Sequence, residues 1–314
     1  MGPLWKRSAT SPGKVILFGE HSVVYGRPAV ALAIDLLTTV ETTAYSREAM
    51  TLGGSPEAYD RNPYLKEAAR MGGLRGLDIT VRSSVPMGSG MGSSAALISA
   101  FLTTLSAGPK DAPALACNSF VCEYQAQRTG SPADTSTVTA GGLISIGGRG
   151  YGTELWQVPA MHGRGPWRVD RLRDPGWKWI VAFSGVPKST GPRVHEVGVR
   201  LRDDTSHLLD RITAVAEDGI RALERADRAE VGRLMNLNHE LLVELGIGHP
   251  SLDRMVAAVR GSVLGVKITG AGFGGSLLAL TNGGDEERVA RLFADAGGIP
   301  FVVGSSPQGT RLLP

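Results

Sequence analysis

The chain has 314 residues, enough for one large domain or two of ordinary size with buried cores. At 42% hydrophobic and 20% charged it has the balance of a globular protein, and its 42 glycines gather in loops rather than at a fixed period, which excludes a fibrous chain. The formal net charge is +3 and no Lys/Arg block is interleaved with aromatics, which argues against nucleic acid as the main partner. Cys117 and Cys122 fit neither a zinc pattern nor a disulfide framework and are expected as buried free thiols. No signal peptide is visible and no apolar run approaches the length of a membrane span, so no membrane partner and a cytoplasmic location are expected.

In chain order, Val15–Phe18 and Ala29–Ile34 are short apolar runs that suit buried strands, with the polar loop Gly19–Gly26 between them. The Thr-rich stretch Thr38–Thr43 predicts a further strand. Residues 50–76 are polar, with a short helix predicted from Pro63 to Arg70. Leu77–Arg82 alternates apolar and polar residues, as a half-exposed strand does. After a glycine loop, helices are predicted from Ser94 to about Leu105 and from about Pro113 to Thr129. Thr137–Ile146 reads as strand. The Gly-, Pro-, Arg- and Trp-rich residues 147–176 read as a surface excursion near a domain boundary, which divides the chain into 1–165 and 166–314. Trp179–Phe183 restarts the sheet pattern, and helical periodicity covers about 192–218, 219–227, 228–245 and 251–260. Strands at Val266–Thr269 and Leu277–Leu280 flank a second glycine loop, and a helix at 286–296 and a strand at 300–304 close the chain. Strands and helices mixed without regular βαβ alternation predict an α+β fold.

The loop Pro86-Met87-Gly88-Ser89-Gly90-Met91-Gly92-Ser93-Ser94 is the strongest chemical signal. Alternating glycines turn backbone N–H groups inward, and the helix that opens at once adds unpaired N–H groups and the positive end of its dipole. Together they make a phosphate cradle. The loop lacks the Gly-Lys-Ser/Thr of a Walker A sequence and the spacing of a dinucleotide fingerprint. Ser94 offers a hydroxyl of the kind that suits Mg2+. Glu123, on the second helix, and Asp134, after Ser131-Pro132-Ala133, are candidate acidic partners. Taken alone, the first is an ordinary solvated side chain and the second an ordinary turn or cap residue. Lys14, before a buried strand, and Glu20-His21 at that strand's far end bring a cation, an acid and an imidazole close together in sequence. Taken alone, they equally describe a charged strand start and a polar loop. Two glycine loops in one chain suggest a site closed between two domains.

Three segments together resemble the motifs of the GHMP kinases: Pro12-Gly13-Lys14-Val15-Ile16-Leu17-Phe18-Gly19-Glu20-His21, the Gly88–Ala96 loop, and Thr269–Gly275. Their order and separations match, and the resemblance spans nearly the whole chain. Leu234-Met235-Asn236-Leu237-Asn238-His239-Glu240-Leu241-Leu242 and Val186-Pro187-Lys188-Ser189-Thr190 are similar to stretches of the mevalonate-phosphorylating branch. Phe273 and Ser276 instead look like the third motif of the galactose-phosphorylating branch.

The resemblance implies an N-terminal domain like domain 2 of ribosomal protein S5 and a ferredoxin-like C-terminal domain. It implies ATP and mevalonate as substrates, Mg2+ as cofactor and a homodimer. Carried over by position, Asp134 becomes the catalytic acid/base and Lys14 its partner. Ser83 and Gly88, Ser89, Gly90, Met91, Gly92, Ser93 and Ser94 hold ATP, and Ser94 and Glu123 hold the metal. Glu20, His21, Asp134, Thr190 and Ala271 face the acceptor. The alternatives are another small-molecule kinase of the family (acting at the 3-hydroxyl of mevalonate, on phosphomevalonate, or galactokinase-like) and a non-catalytic binding protein on the same fold.

Overall fold

The computed structural model describes residues 2–46, 48–106, 108, 111–161, 163–187 and 206–314. Two long strands, β1 (Trp5–Phe18) and β2 (Ala29–Ala44), form the spine of an eight-stranded sheet. The separate short strands expected at Ala29–Ile34 and Thr38–Thr43 are one strand with a bulge. Pro12 faces Leu37 and Gly13 faces Ile34, so two residues of β2 have no opposite number. Pro12 cannot donate to the ladder, and the irregularity falls where that donor is missing. Outside β2 lie β3 (Thr51–Leu52) and β4 (Leu77–Ser83), with helices α1 (Pro56–Asp60) and α2 (Pro63–Gly72) between them. Helix α2 begins where the Asn62 side chain accepts from the Leu65 N–H, with Pro63 in the first helical position.

Helices α3 (Ser93–Thr104), α4 (Ala112–Gln127) and α5 (Ala133–Ala140) follow, and α3 and α5 pack on β1 and β2. The strand expected over 137–146 is therefore only β5 (Leu143–Ile146); its first residues belong to α5. A Thr-rich sequence reads as strand, but Thr135 and Thr137 turn their hydroxyls back onto the carbonyls of Pro132 and Ala133 and remain in a short helix.

Residues 147–176 are no surface excursion. They form the hairpin β6 (Thr153–Val158) and β7 (Trp167–Arg171), which buries Trp156 and Trp167 and pairs with β5. The expected boundary after residue 165 thus falls inside the first sheet, whose order is β12-β1-β2-β5-β7-β6. The last strand, β12 (Arg311–Leu312), also returns to it. Composition misleads here, because Gly and Pro flank the hairpin while its anchoring residues are two tryptophans.

The second sheet comprises β8 (Trp179–Phe183), β9 (Gly265–Thr269), β10 (Ser276–Leu280) and β11 (Ile299–Val303), antiparallel in the order β11-β8-β10-β9. Helices α6 (Ser206–Glu224), α7 (Arg228–Glu244), α8 (Pro250–Val259) and α9 (Glu286–Asp295) complete a ferredoxin-like unit. The helices expected at 192–218 and 219–227 are one helix over their described part, and residues 192–205 lie outside the described residues. One apolar core runs from Val15, Leu17 and Phe18 of β1 into Trp179–Phe183 and the inner faces of α6 to α8. The two sheets therefore share an interior, and the ends of β1 and β9 meet at its rim. No helix among the described residues is long and apolar enough to cross a membrane.

Candidate active site

Lys14 stands on β1 immediately before the apolar run Val15–Phe18 and is almost fully buried. An ammonium can be buried there only if its charge and its donors are met. Its Nζ lies 2.9 Å from Asp134 Oδ1 and donates to the Gly90 carbonyl at 3.0 Å. Asp134 sits in the first turn of α5, where the helix N-terminus favours a negative charge. Two residues far apart in the chain are thus closed by a single ion pair beneath the glycine loop.

That loop turns through three left-handed glycines, with φ of +73° at Gly88, +83° at Gly90 and +75° at Gly92. Gly92 is also the residue before α3, and a Cβ there would meet Lys14 Cγ at 2.8 Å. Glycine is required twice over at this position, by conformation and by space. The Ser89 side chain is spent inside the loop, donating to the Pro86 carbonyl at 2.7 Å and accepting from the Met91 N–H at 3.3 Å. The Met91 side chain is in the core. For both residues, backbone groups are what the loop presents. Ser83 ends β4, its hydroxyl 2.7 Å from that of Thr38.

Ser94, in the first turn of α3, donates to Glu123 Oε1 of α4, and Gln127 Nε2 donates to the same oxygen at 3.2 Å. Gln127 also donates to the Tyr64 hydroxyl at 3.2 Å, which ties α2 to this corner. A hydroxyl and a largely buried carboxylate brought together from separate helices are hard oxygen donors. They fit Mg2+, which takes one or two such protein ligands and completes its shell with water and phosphate oxygens. Among the described residues no group of three or more His, Cys, Asp or Glu could hold a metal without such help.

The second glycine loop crosses the end of β1. The Thr269 hydroxyl accepts from the Ile16 N–H at 2.8 Å, and the Ser276 hydroxyl donates to the Ser89 carbonyl at 2.8 Å. His21 has the left-handed φ of +62°, a conformation that costs a non-glycine residue about 1–2 kcal/mol. Its Nε2 donates to the Ala271 carbonyl at 3.2 Å. Burial lowers the imidazole pKa to about 4, against the pull of that carbonyl, so the ring is neutral at pH 7. Lys14, Glu20, His21, Glu123, Asp134 and Ala271 line one cavity of about 110 Å³, floored by Ile16, Val23 and Phe120. Thr190 lies outside the described residues.

Lys267 joins this site from the second sheet, and the motif resemblance does not single it out. It is fully buried on β9, pairs with the Glu20 carboxylate, and donates to the Ile268 carbonyl at 2.5 Å and the Ile16 carbonyl at 3.4 Å. Burial pushes the Glu20 carboxyl up and the Lys267 ammonium down, and their mutual attraction opposes both shifts. A lysine between Val266 and Ile268 is the available signal, because a buried charge demands a partner. Gln127 and Tyr64 carry no signal in the sequence.

Comparison with known proteins places these residues in a family. The description "GHMP kinases N terminal domain" matches residues 61–142, and "GHMP kinases C terminal" matches residues 220–297. The mevalonate kinase of Archaeoglobus fulgidus is 33% identical over 285 residues, covering 88% of this chain and 92% of the relative. That of Methanothermobacter thermautotrophicus is 32% identical over 298 residues, covering 87% and 90%. Among solved structures, L. major mevalonate kinase in complex with R-mevalonate superposes with a TM-score of 0.80 over 98% of this chain and 99% of its own, at 23% identity. That last likeness concerns the fold.

Proposed function

The chain belongs to the GHMP kinase family, and from that premise we propose that it transfers the γ-phosphoryl group of ATP to the 5-hydroxyl of (R)-mevalonate. The observation that carries the chemistry is the Lys14 ammonium, held between Asp134 and the Gly90 carbonyl where the glycine loop meets the cavity. A buried cation and a carboxylate at the junction of a phosphate cradle and a small cleft are the groups that phosphoryl transfer to a hydroxyl requires.

Phosphoryl transfer is mainly positioning and charge neutralisation. In this reading the backbone N–H groups of Gly88–Ser94 and the start of α3 hold the phosphates, with Ser83 on the nucleotide side. Asp134 accepts the proton of the acceptor hydroxyl as its oxygen bonds to the γ-phosphorus and the bond to the bridging oxygen of ADP breaks. Lys14 stabilises the negative charge that develops on the attacking oxygen and the transferring group. Ser94 and Glu123 hold Mg2+, which supplies charge neutralisation at the phosphates. Glu20, neutral His21 and Ala271 face mevalonate. The dimer and the cytoplasmic location belong to the same reading, and light scattering on the purified protein tests the dimer.

The decisive assay measures ATP-dependent ADP release with (R)-mevalonate, phosphomevalonate, galactose and homoserine as acceptors, with the product characterised by 31P NMR. Mevalonate is expected to give the highest kcat/KM and a phosphomonoester on its primary carbon. Preference for another acceptor, or no turnover with any of them, overturns the assignment.

A further inference from the structure

We infer that Lys267 is a positioning residue that acts through Glu20 and thereby keeps Lys14 committed to Asp134. The inference rests on the proposed kinase reading and concerns a residue that touches neither proposed substrate. Lys14 and Glu20 line the same cavity, six residues apart at the end of β1. They lie close enough for the Lys14 charge to lower the Glu20 carboxyl. Glu20 is 1% exposed, so its charge must be answered inside the protein. Lys267 answers it through Oε1, while Oε2 is buried with no hydrogen-bond partner among the described residues.

The cavity wall therefore offers the carboxylates of Glu20 and Asp134 beside the lysine of β1, and β9 supplies the second cation from behind. The Lys267 backbone is fixed by pairing with Leu278 of β10, and its Nζ by the carbonyls of Ile16 and Ile268. Without Lys267, the remaining cation among the described residues of the cavity is Lys14. Its ammonium ends a flexible four-carbon stem, and an unpaired buried Glu20 competes for it against Asp134 and the Gly90 carbonyl.

The test is a mutant cycle read as kcat per folded protein, with KM for ATP followed in parallel, using whichever acceptor the wild-type enzyme turns over. Failure of the kinase reading appears in the wild-type acceptor panel and failure of this inference appears in the cycle. Lys267→Met is expected to lower kcat about tenfold or more with KM for ATP nearly unchanged. The double variant Glu20→Gln/Lys267→Met is expected within about threefold of Glu20→Gln alone, because Lys267 has no role once its carboxylate is gone. A merely structural lysine would add its full loss on top of Glu20→Gln, and that result overturns the inference. So does a Lys267→Met enzyme with wild-type kcat. If Lys267→Met does not fold, the comparison of the double variant with Glu20→Gln decides alone, since both lack the unpaired buried carboxylate.

Discussion

Gly92→Ala separates the two demands the structure places on the glycine loop. The backbone there has φ +75° and ψ 24°, and the added methyl would sit 2.8 Å from Lys14 Cγ. The left-handed conformation costs an alanine about 1–2 kcal/mol. Gly73, at the end of α2, has nearly the same backbone, φ 58° and ψ 32°, and a methyl added there would meet nothing within 4 Å, so Gly73→Ala carries the conformational cost alone. The contact at Gly92 involves the middle of a buried side chain whose end is held at 2.9 Å by Asp134 and 3.0 Å by the Gly90 carbonyl. Relief requires the Lys14 stem to shift by several tenths of an ångström, which moves Nζ relative to Asp134. Misplacement on the scale of about 1 Å costs about 100-fold in rate. Gly92→Ala is therefore expected to lower kcat about 10- to 100-fold, with Gly73→Ala within about twofold of wild type and Gly92→Ala the more destabilised of the two. Steady-state kinetics and calorimetry on both variants make the measurement. A Gly92→Ala enzyme with the kcat of Gly73→Ala would refute the reasoning.

Asp134→Asn removes the proposed proton acceptor and is expected to cost about 100- to 10,000-fold in kcat with KM for ATP little changed; turnover near wild type would place the base elsewhere. Ser94→Ala and Glu123→Gln are each expected to raise the free Mg2+ needed for half-maximal activity about tenfold or more, measured by titration at saturating substrates. Gln127→Leu, which removes a donor to Glu123, should raise it less. Stability is also expected to depend on pH through two imidazoles. His21 and His239 are both pushed by burial from 6.5 to about 4, so the unfolded chain takes up protons that the folded chain refuses. Stability is then level above pH 6.5 and falls as the pH drops from 6.5 towards 4. Thermal melts from about pH 7.5 to about 4.5 on wild type and His239→Gln check this, and an unchanged acid slope in the variant would remove His239 from the account.

Short-range chemistry is legible in the sequence. The glycine loop opening into α3, the helices from Pro63 and Pro113, and the strands around the second glycine loop follow from turn residues, caps and periodicity that act within a few positions. The hairpin at β6 and β7 is not legible, because its strands are justified by Trp156, Val158, Trp167 and Val169 entering a core built by distant residues. Helix α5 hides for a related reason: its threonines favour a strand until their hydroxyls fold back on the chain.

By itself the sequence determined what kind of groups this protein carries: a phosphate-shaped backbone loop, a mixture of strands and helices, and motifs in the order of one kinase family. Glycines and helix starts act locally, and their meaning travels with the string of residues. Only the tertiary structure decided which charge meets which. Lys14 pairs with Asp134, Ser94 with Glu123, and Lys267 with Glu20 across 247 residues of chain. The reason is electrostatic: a charge removed from water must be answered by the nearest opposite charge, and nearness across folded sheets is not written in sequence distance.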